Sequence, residues 1–343
     1  MRERVVDVGI VGGSGYGGAE LLRLLAGHPV LKVRTVAAKS NAGRDLAEVF
    51  PHLGMTGTLA PSEPEALAGC DVVFLATPHA ASLELAPALL DQGALVVDLS
   101  GAFRLDAATF TEWYGLPHTA PELAPGTYGL PELWRGDLAG ARLIANPGCY
   151  PTAALLALCP LGGVAEPTGV VIAGMSGTSG AGKGLRDDLH VSHAVANVSP
   201  YAAPRHRHTP EIEAGWARAA GQRAAVTFTP HLVPMARGLL ATLSARPAPG
   251  TTPEDIRAAF DDAYRHEPFV TVLPEGSWPA TAHVSGGNAA HVGVASDPRT
   301  GRVTVACAID NLVKGAAGQA IQNANVALGL SEAAGLSAAG VYP

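Results

Sequence analysis

The sequence predicts an α/β protein in which a parallel sheet covered by helices is followed by a second domain of α+β type. Three observations support this prediction. Over the first hundred residues, short apolar runs alternate with segments of helical spacing, which is typical of βαβ units. From residue 170 onward, strands follow one another with few helices between them. The length of 343 residues accommodates two compact domains, or one large domain with an insertion.

The predicted strands of the first domain are short apolar runs that end at turn signals. The first, residues 5–11, is interrupted only by Asp7 and enters a glycine turn at residues 12–18. Helical spacing follows at residues 19–26. Residues 101–145 are rich in Pro and Gly and predict long loops. Further strands are predicted at 31–38, 71–76, 94–99 and 143–145, and further helices at 83–90 and 152–158.

The second half of the chain predicts an antiparallel sheet, because strands there follow each other without regular crossover helices. One long helix is predicted at residues 315–328, and the small residues of the tail, 331–343, predict loose order. The predicted strands are 170–173, 225–229, 239–245, 269–273, 290–295 and 302–309, and the other helices are 211–219 and 255–264.

Composition and charge exclude several classes of protein. Hydrophobic residues make up 48% of the chain and charged residues 15%, which excludes intrinsic disorder. A net charge of −7 gives no general attraction for nucleic acid or for anionic membranes. The four cysteines are too scattered for a disulfide framework or a structural zinc site. The apolar run after residues 1–4 is too short for a signal peptide or a membrane span, so we expect a soluble cytoplasmic protein.

Gly12, Gly15 and Gly18 form a G-x-x-G-x-x-G turn between the first strand and the first helix. Small residues there let a pyrophosphate approach the backbone and lie on the helix N-terminus. Glycine turns also serve plain strand–helix packing, but a position at the start of a βαβ unit favours nucleotide binding. Ser14 and Tyr16 lie in the same turn and are expected to contact the cofactor.

The end of the second predicted strand favours NADP over NAD. An NAD-binding unit usually carries Asp or Glu there, which holds the ribose 2′-hydroxyl. This chain has no acid between residues 37 and 44, whereas Lys39, Ser40 and Arg44 can hold a 2′-phosphate. Only four of the 23 Lys and Arg residues are Lys, so Lys39 carries more weight than an Arg would. The alternative is a solvated basic loop.

Cys149 is the candidate nucleophile. It follows an Asn-Pro-Gly turn at residues 146–148, with a strand before the turn and a helix after it. A thiol at a helix N-terminus lies at the positive end of the helix dipole, which favours the thiolate, and nearby amides can stabilise an oxyanion. The alternative is an inert buried cysteine, which fits Cys70, Cys159 and Cys307 in their apolar segments.

The histidines supply candidates for the acid–base partner that a cysteine nucleophile needs. His206 and His208 stand with Glu211 in a dense polar cluster. An acid–base role ranks first for this cluster, and exposed surface histidines rank second. Metal binding ranks third: His190 and His193 would join His206 and His208, but no run of acidic ligands accompanies them.

Residues 177–184 nearly spell a phosphate-binding P-loop. Gly184 follows Lys183 at the position where a P-loop has Ser or Thr for magnesium, so a kinase or ATPase is not predicted. Small residues beside a lysine still suit an anion, such as a phosphate or carboxylate of the substrate. The alternative is a flexible glycine turn.

NADP together with a cysteine nucleophile predicts chemistry at the acyl level, in which a thioester is reduced to an aldehyde. The sequence resembles the N-acetyl-gamma-glutamyl-phosphate reductase family of arginine biosynthesis over almost its whole length. Related aspartate-semialdehyde dehydrogenases share the layout but lack the histidine segment. The resemblance rests on 12–21 (GGSGYGGAEL), 98–105 (DLSGAFRL), 128–132 (YGLPE), 146–152 (NPGCYPT), 206–212 (HRHTPEI) and 311–325 (NLVKGAAGQAIQNAN).

This resemblance implies a Rossmann-type NADP-binding domain over residues 1–148 and 312–343. An α+β catalytic and oligomerisation domain over residues 149–311 would interrupt it, as in semialdehyde and glyceraldehyde-3-phosphate dehydrogenases. The implied reaction is the NADPH-dependent reductive dephosphorylation of N-acetyl-L-glutamyl 5-phosphate to the 5-semialdehyde. The implied partners are the small-molecule acyl phosphate and inorganic phosphate, with no nucleic acid and no membrane, and the implied assembly is a homodimer or homotetramer.

The resemblance also implies roles for individual residues. Cys149 would form the thioester, one of His206 and His208 would move the proton, with His206 preferred, and Glu211 would order the cluster. No metal is expected. The residues expected to bind NADP(H) are Gly12, Ser14, Gly15, Tyr16, Gly18, Lys39, Ser40, Arg44, Thr77, Pro78, Ser100, Asn311, Lys314 and Gly315. The residues expected to bind substrate are Arg104, Asn146, Ser176, Ser179, Gly182 and Lys183.

Three other functions stay open at this point. A close relative would reduce an acyl phosphate on a small acidic carrier protein, but the net charge of −7 disfavours the basic surface this needs. A catalytically silent NADP-binding module would keep the fold without a reactive Cys149. A zinc enzyme would use the histidine pairs.

Overall fold

The computed structural model describes residues 5–342. Residues 1–4, which precede the apolar run weighed as a signal peptide, and residue 343 lie outside the described residues. By backbone contacts the chain forms two units, residues 1–148 with 316–336 and residues 149–315 with 337–343. The division expected from the sequence differs from this one at residues 312–315 and 337–343, which the contacts assign to the second unit.

The helices and strands follow the chain in two series. The first series is β1 (Val6–Val11), α1 (Tyr16–Leu25), β2 (Leu31–Ala37), α2 (Leu46–Val49), β3 (Val72–Leu75), α3 (His79–Asp91), β4 (Leu95–Asp98), α4 (Ala107–Tyr114), β5 (Thr127–Tyr128), α5 (Pro131–Trp134) and β6 (Leu143–Ala145). The second is α6 (Cys149–Leu158), β7 (Val170–Ser176), α7 (Val191–Ala194), β8 (Ser199–Pro200), α8 (Thr209–Ala220), β9 (Val226–Leu232), β10 (Leu239–Ala245), α9 (Pro253–Tyr264), β11 (Val270–Val272), β12 (Ala290–Asp297), β13 (Arg302–Ile309) and α10 (Gly318–Ala327).

The first unit is built on a parallel sheet, as the sequence predicts. Within the described residues its six strands run in the order β2-β1-β3-β4-β6-β5, and every neighbouring pair is parallel. Strands β3 and β4 are buried at every position, because helices cover both faces of such a sheet. Parallel strands end at one common edge, so the loops after β1, β3 and β4 meet there.

Helix α10 belongs to the first unit and is buried largely through polar side chains. It contacts α1, α5 and β4. The Nδ2 amide of Asn323 donates to the Gly129 carbonyl oxygen at 2.8 Å and to Asn146 Oδ1 at 2.9 Å. The Nε2 amide of Gln322 donates to Glu132 Oε1 at 2.7 Å. Buried amides with such partners fix the helix in one register against the loops it covers.

The second unit is built on a mixed sheet, which corrects the antiparallel sheet expected from the sequence. The described residues give seven strands in the order β11-β12-β13-β10-β7-β9-β8. Two of the pairs, β7 with β9 and β11 with β12, are parallel. Parallel neighbours need a long connection. Residues 177–225, which contain α8, connect the first pair, and residues 273–289 connect the second.

Helix α6 lies at the centre of the second unit and packs against β10, β13 and α8. Its residues from Tyr150 to Leu158 are all buried, whereas its first residue, Cys149, is partly exposed. A helix that is apolar all round must be enclosed on all sides, so its accessible chemistry is confined to its tip. None of the helices within residues 5–342 combines the length and the hydropathy needed to cross a bilayer.

Candidate active site

The glycine turn after β1 is shaped as a cradle for a phosphate. Gly12 has a φ of +81°, and a Cβ atom on it would overlap the Ala76 carbonyl oxygen. A Cβ atom on Gly18 would lie 2.6 Å from Gly13 Cα. Only glycine fits both positions. Within residues 5–342 the backbone amides of Ser14 and Tyr16 have no hydrogen-bond acceptor, so they can donate to an anion at the start of α1.

The loop after β2 presents exposed polar and basic side chains. Lys39, Ser40 and Arg44 are all exposed. Arg44 pairs with Glu48 at 3.5 Å and donates to Asn41 Oδ1 at 3.3 Å, whereas Lys39 forms no ion pair within the described residues. The loop therefore has the composition that a ribose 2′-phosphate requires, with Lys39 the more available cation.

A hydroxyl network joins the loops after β3 and β4. Ser82 Oγ donates to Asp98 Oδ1 at 2.7 Å, and Ser100 Oγ donates to Asp98 Oδ2 at 2.8 Å. Thr77 Oγ1 lies 2.8 Å from Ser82 Oγ, and Pro78 precedes the first turn of α3. Burial raises the pKa of Asp98, and the hydroxyl donors and the nearby Arg104 oppose that shift. Asp98 therefore positions two of the residues expected to bind cofactor, Thr77 and Ser100.

Arg104 is buried and holds the backbone that leads to Cys149. Its Nε donates to the carbonyl oxygen of Asn146 at 2.8 Å, and its Nη2 donates to the Leu99 carbonyl oxygen at 2.8 Å. The side chain of Asn146 donates in turn to the Ala316 carbonyl oxygen at 3.2 Å. Both residues were expected to bind substrate. These hydrogen bonds of Arg104 are with main-chain groups, and Asn146 also accepts from the Asn323 side chain, so the structure gives both residues a supporting role in the first unit. The substrate role stays a prediction.

Cys149 begins α6 and lies against a second glycine, Gly315. A Cβ atom on Gly315 would be 2.8 Å from Cys149 Cβ and 3.2 Å from Cys149 Cα. The backbone at residue 315 therefore touches the cysteine directly. The other three cysteines are buried, as the sequence predicts. Burial raises the pKa of Cys70, Cys159 and Cys307, the last to about 12, which keeps those thiols protonated.

The structure brings His206 and His208 together with the residue that follows Cys149. The ring centroids of the two histidines are 4.8 Å apart, and Tyr150 lies 5.8 Å from His206 and 6.0 Å from His208. Both histidines are buried, as is Glu211 in the first turn of α8. The two histidines of the predicted acid–base cluster thus pack against Tyr150 at the start of α6.

Two tyrosines connect this cluster to the sheet. Tyr150 Oη donates to the His231 carbonyl oxygen at 3.0 Å, and Tyr201 Oη lies 3.4 Å from Tyr150 Oη. Burial raises the pKa of both tyrosines, and the neighbouring Cys149 adds to the shift in each. Burial lowers the pKa of His206 to about 4, and the positive charge of Arg207 contributes. The surroundings of Cys149 therefore hold neutral hydroxyls and a neutral imidazole at pH 7.

The glycine loop after β7 divides into a fixed half and an exposed half. Ser176 is buried, and Ser179 Oγ accepts a hydrogen bond at 3.0 Å from Nδ2 of Asn311, whose Oδ1 accepts from the Gly238 amide at 2.8 Å. Gly182 and Lys183 are exposed. The structure thus joins Ser179 to Asn311, whereas Lys183 lies on the open side of the loop, where it is accessible to an anion.

Lys314 is fully buried, with Nζ 5.7 Å from the centre of the Phe269 ring. The preceding Asp310 is also fully buried and pairs with Arg237 at 3.1 Å. It accepts the backbone amides of Leu312 and Val313 at 2.8 and 3.1 Å. These contacts hold the turn that presents Gly315 to Cys149. The cofactor roles of Asn311, Lys314 and Gly315 stay predictions.

The metal alternative finds no support in the described residues. His190 and His193 are exposed and bond to their neighbours Ser192 and Asn197. Within residues 5–342, the histidines of this region do not form a group with metal-ligand distances.

Sequence reasoning missed Tyr201, Phe228 and Asp98. Tyr201 and Phe228 reach the histidine cluster only through the pairing of β8 and β9, which leaves no local signal. Asp98 ends a strand of a parallel sheet, and that position could have identified it.

Comparison with known proteins covers both units. Residues 7–141 match the family model described as semialdehyde dehydrogenase, NAD binding domain, and residues 149–311 match semialdehyde dehydrogenase, dimerisation domain. Curated relatives named N-acetyl-gamma-glutamyl-phosphate reductase include those of Arthrobacter sp. (strain FB24), 50% identical over 98% of this chain and 99% of the relative, and of Symbiobacterium thermophilum, 49% identical with the same coverage.

Solved structures show the same fold at low identity. Aspartate semialdehyde dehydrogenase II from Vibrio cholerae, complexed with ASA, superposes with a TM-score of 0.75 at 18% identity, covering 95% of this chain and 99% of that one. Aspartate semialdehyde dehydrogenase with NADP from Candida albicans has a TM-score of 0.65 at 17% identity, covering 94% and 98%. With both domain models matched and near-complete relatives at about half identity, the chain belongs to the N-acetyl-gamma-glutamyl-phosphate reductases of the semialdehyde dehydrogenase family.

Proposed function

We propose that this protein reduces N-acetyl-L-glutamyl 5-phosphate to N-acetyl-L-glutamate 5-semialdehyde with NADPH, in the biosynthesis of arginine. The observation that carries the proposal is the placement of Cys149 at the accessible tip of an otherwise buried helix, whose next residue, Tyr150, packs against two histidines. The names of the relatives supply the substrate. The substrate is free rather than carrier-linked, and the net charge of −7 is consistent with this.

The reaction divides into two steps at Cys149. The sulfur attacks the acyl carbon, the acyl–oxygen bond to phosphate breaks, and inorganic phosphate leaves with the bonding electrons. Bound NADPH supplies the hydride that reduces the resulting thioester. The carbon–sulfur bond then breaks, releasing the aldehyde and the cysteine thiolate. The start of α6 favours this thiolate, because the positive end of the helix dipole stabilises negative charge.

The other residues bind and orient the cofactor and the substrate. The amides of the glycine turn hold the pyrophosphate, and Lys39 with Ser40 and Arg44 holds the 2′-phosphate. Ser176, Ser179 and Lys183 bind the phosphate or carboxylate of the substrate. The histidine pair, ordered by Glu211, manages the proton and the charge on the acyl oxygen. The chain acts in the cytoplasm as a homodimer or homotetramer, through the unit that matches the dimerisation domain.

The reverse reaction tests this proposal. Purified protein, NADP and phosphate are mixed with N-acetyl-glutamate semialdehyde, and NADPH is followed by its absorbance, with aspartate semialdehyde as the comparison substrate. We expect fast, phosphate-dependent NADPH formation with the first aldehyde only. Absence of turnover with both aldehydes would contradict the proposal and favour a carrier-linked substrate or a silent NADP-binding protein.

Variants of two cysteines make the test specific to the thioester. Cys149→Ser should abolish turnover and keep NADPH binding. Cys159→Ser is the matched control, because its thiol is buried, lies 3.8 Å from the Gly215 carbonyl oxygen, and can be replaced by a hydroxyl with the same partner. Turnover retained by Cys149→Ser, or lost equally in both variants, would rule out the thioester route.

A further inference from the structure

We infer that His206 acts as a neutral hydrogen-bond donor toward the acyl oxygen through Nε2, and not as the group that carries the proton. The inference rests on the proposed function, whose chemistry places negative charge on that oxygen when the thioester forms and when it is reduced. It departs from the preference for His206 as the proton carrier that the sequence alone supported.

The first observation is the hydrogen bond at Nδ1. The backbone amide of His208 donates to Nδ1 of His206 at 3.2 Å. A ring nitrogen that accepts a hydrogen bond carries no proton, so the proton of the neutral ring is on Nε2. Protonation of Nδ1 would break this bond and set two donors against each other. The local backbone therefore selects one tautomer of His206 and opposes the imidazolium.

The second observation concerns Nε2. His206 is only 5% exposed, and within residues 5–342 its Nε2 has no hydrogen-bond partner. Nε2 is not among the buried side-chain atoms that lack a partner, so its N–H keeps access to the space outside the ring's enclosure. The geometry thus leaves this N–H free to donate to an acceptor that arrives there, such as an acyl oxygen.

The third observation is the aromatic box around the ring, formed by Tyr150, Tyr201 and Phe228. Their ring centroids lie 5.8, 5.3 and 5.5 Å from that of His206, at interplanar angles of 84°, 78° and 79°. These edge-to-face contacts fix the plane of the imidazole. They also exclude water, which disfavours a charged ring far more than a neutral one.

The tyrosines and Arg207 around His206 are neutral or act in the same direction, whereas Cys149 at the start of α6 and Glu211 in the first turn of α8 would favour a charged ring when ionised. Tyr150 comes from α6 and Tyr201 follows β8, and burial raises the pKa of both, so they stay uncharged. Phe228 of β9 carries no charge. Arg207, in the segment before α8, is positive and lowers the pKa of His206 together with burial. The ring centroid of His208, the second imidazole of the cluster, lies 4.8 Å from that of His206.

This arrangement suits an oxyanion donor. A donor that is neutral, held in one tautomer and shielded from water stabilises developing charge without reorganisation, and removing one such donor from an enzyme typically slows the reaction about 10²–10³-fold. A proton carrier, in contrast, needs a pKa near the working pH, which the surroundings of His206 do not provide.

NMR of the holoenzyme, labelled with ¹⁵N-histidine and saturated with NADP, tests the tautomer without any turnover. The His206 signal is assigned by its loss in His206→Gln. We expect the pattern of the Nε2-protonated neutral ring, unchanged from pH 8 down to pH 5. A signal that titrates between pH 6 and 7, or that shows the proton on Nδ1, would overturn the inference. This readout decides the matter even if the substrate named above proves wrong.

Kinetics of three variants test the donor role. Gln keeps an N–H donor but cannot carry a proton at neutral pH, so His206→Gln should stay within about tenfold of the wild-type kcat, whereas His206→Ala should lose about 10²–10³-fold. The dependence of kcat on pH should rise and fall at the same pH values in His206→Gln as in the wild type. His266→Gln, an exposed histidine remote in sequence, is the control and should be unchanged. Equal losses in the Gln and Ala variants, or a limb missing from the His206→Gln profile, would overturn the donor role.

Discussion

Gly315→Ala tests whether the turn before α10 positions the nucleophile. The added Cβ would lie 2.8 Å from Cys149 Cβ, about 0.6 Å short of the 3.4 Å at which ordinary contacts begin. The residue lies in a helical turn, Val313–Ala317, so Ala has no backbone penalty there. The contact with Cys149 is therefore the main perturbation, and it must move either the cysteine or the turn.

Two magnitudes follow from this contact. Overpacking of this kind costs about 1–3 kcal/mol of folding stability. A shift of about half an ångström at the nucleophile should slow turnover roughly 10- to 100-fold, because a misplacement of about 1 Å can cost about 10²-fold. The loss should fall on kcat rather than on the KM for NADP, since the change lies beside the thiol.

Three measurements check this prediction. NADPH formation in the reverse reaction gives kcat, the rate of alkylation by iodoacetamide reports access to Cys149, and urea unfolding gives the loss of stability. Gly136→Ala is the matched control, because a Cβ at that exposed glycine meets no atom within 4 Å. Wild-type kcat and alkylation in Gly315→Ala would refute the argument that this turn sets the cysteine.

Three further predictions concern the cofactor loop, the hydroxyl network and acid stability. The double variant Lys39→Ala, Arg44→Ala should narrow the preference for NADPH over NADH, since both side chains can pair with the 2′-phosphate. An unchanged ratio of kcat/KM for NADPH to kcat/KM for NADH would contradict a 2′-phosphate site in this loop. Asp98→Asn should raise the KM for NADP several-fold with a smaller change in kcat. The carboxylate accepts hydrogen bonds from both Ser82 and Ser100, whereas an amide has only one accepting oxygen. An unaltered KM would exclude the role of Asp98 in positioning the cofactor-binding loops. Urea unfolding should give a free energy of unfolding that falls by roughly 3 kcal/mol between pH 7 and pH 4. The reason is that the fold lowers the pKa of His206 from 6.5 to about 4, so below pH 6.5 the unfolded chain binds the proton more readily than the folded one. A free energy that does not change with pH, or the same fall in His206→Gln, would be inconsistent with a buried neutral ring.

The fold class and the first unit could be predicted from local pattern. Short apolar runs separated by helical spacing determine a parallel sheet, since each strand and each helix must bury its apolar surface against the next layer. The family matches confirm the fold class and the enzyme family. The mixed sheet of the second unit was not predicted correctly, because the pairing of β7 with β9 depends on a connection of nearly fifty residues and not on either strand's own pattern.

In the candidate site too, the parts that are contiguous in sequence could be predicted, whereas contacts between distant residues could not. The glycine turn, the basic loop after β2 and the Asn-Pro-Gly-Cys turn are contiguous in sequence, so the chemistry of their residues already indicated a nucleotide and a nucleophile. The predicted roles of individual residues still await the variants above. Arg104 shows the limit, since its residue type suggested a substrate anion, whereas its side chain donates to the backbone carbonyl oxygens of Asn146 and Leu99 and interacts with the carboxyl group of Asp98.

The sequence by itself determined which elements form and which reactive groups the chain carries, because both depend on neighbours a few residues away. Only the tertiary structure decided what surrounds those groups. Gly315 touches Cys149, and Phe228 and Tyr201 enclose His206, through contacts between residues distant in the chain. Burial and hydrogen bonding in that enclosure select the protonation state of His206, and no property of a histidine read from the sequence could supply it, since a pKa is set by the groups that the fold brings into contact.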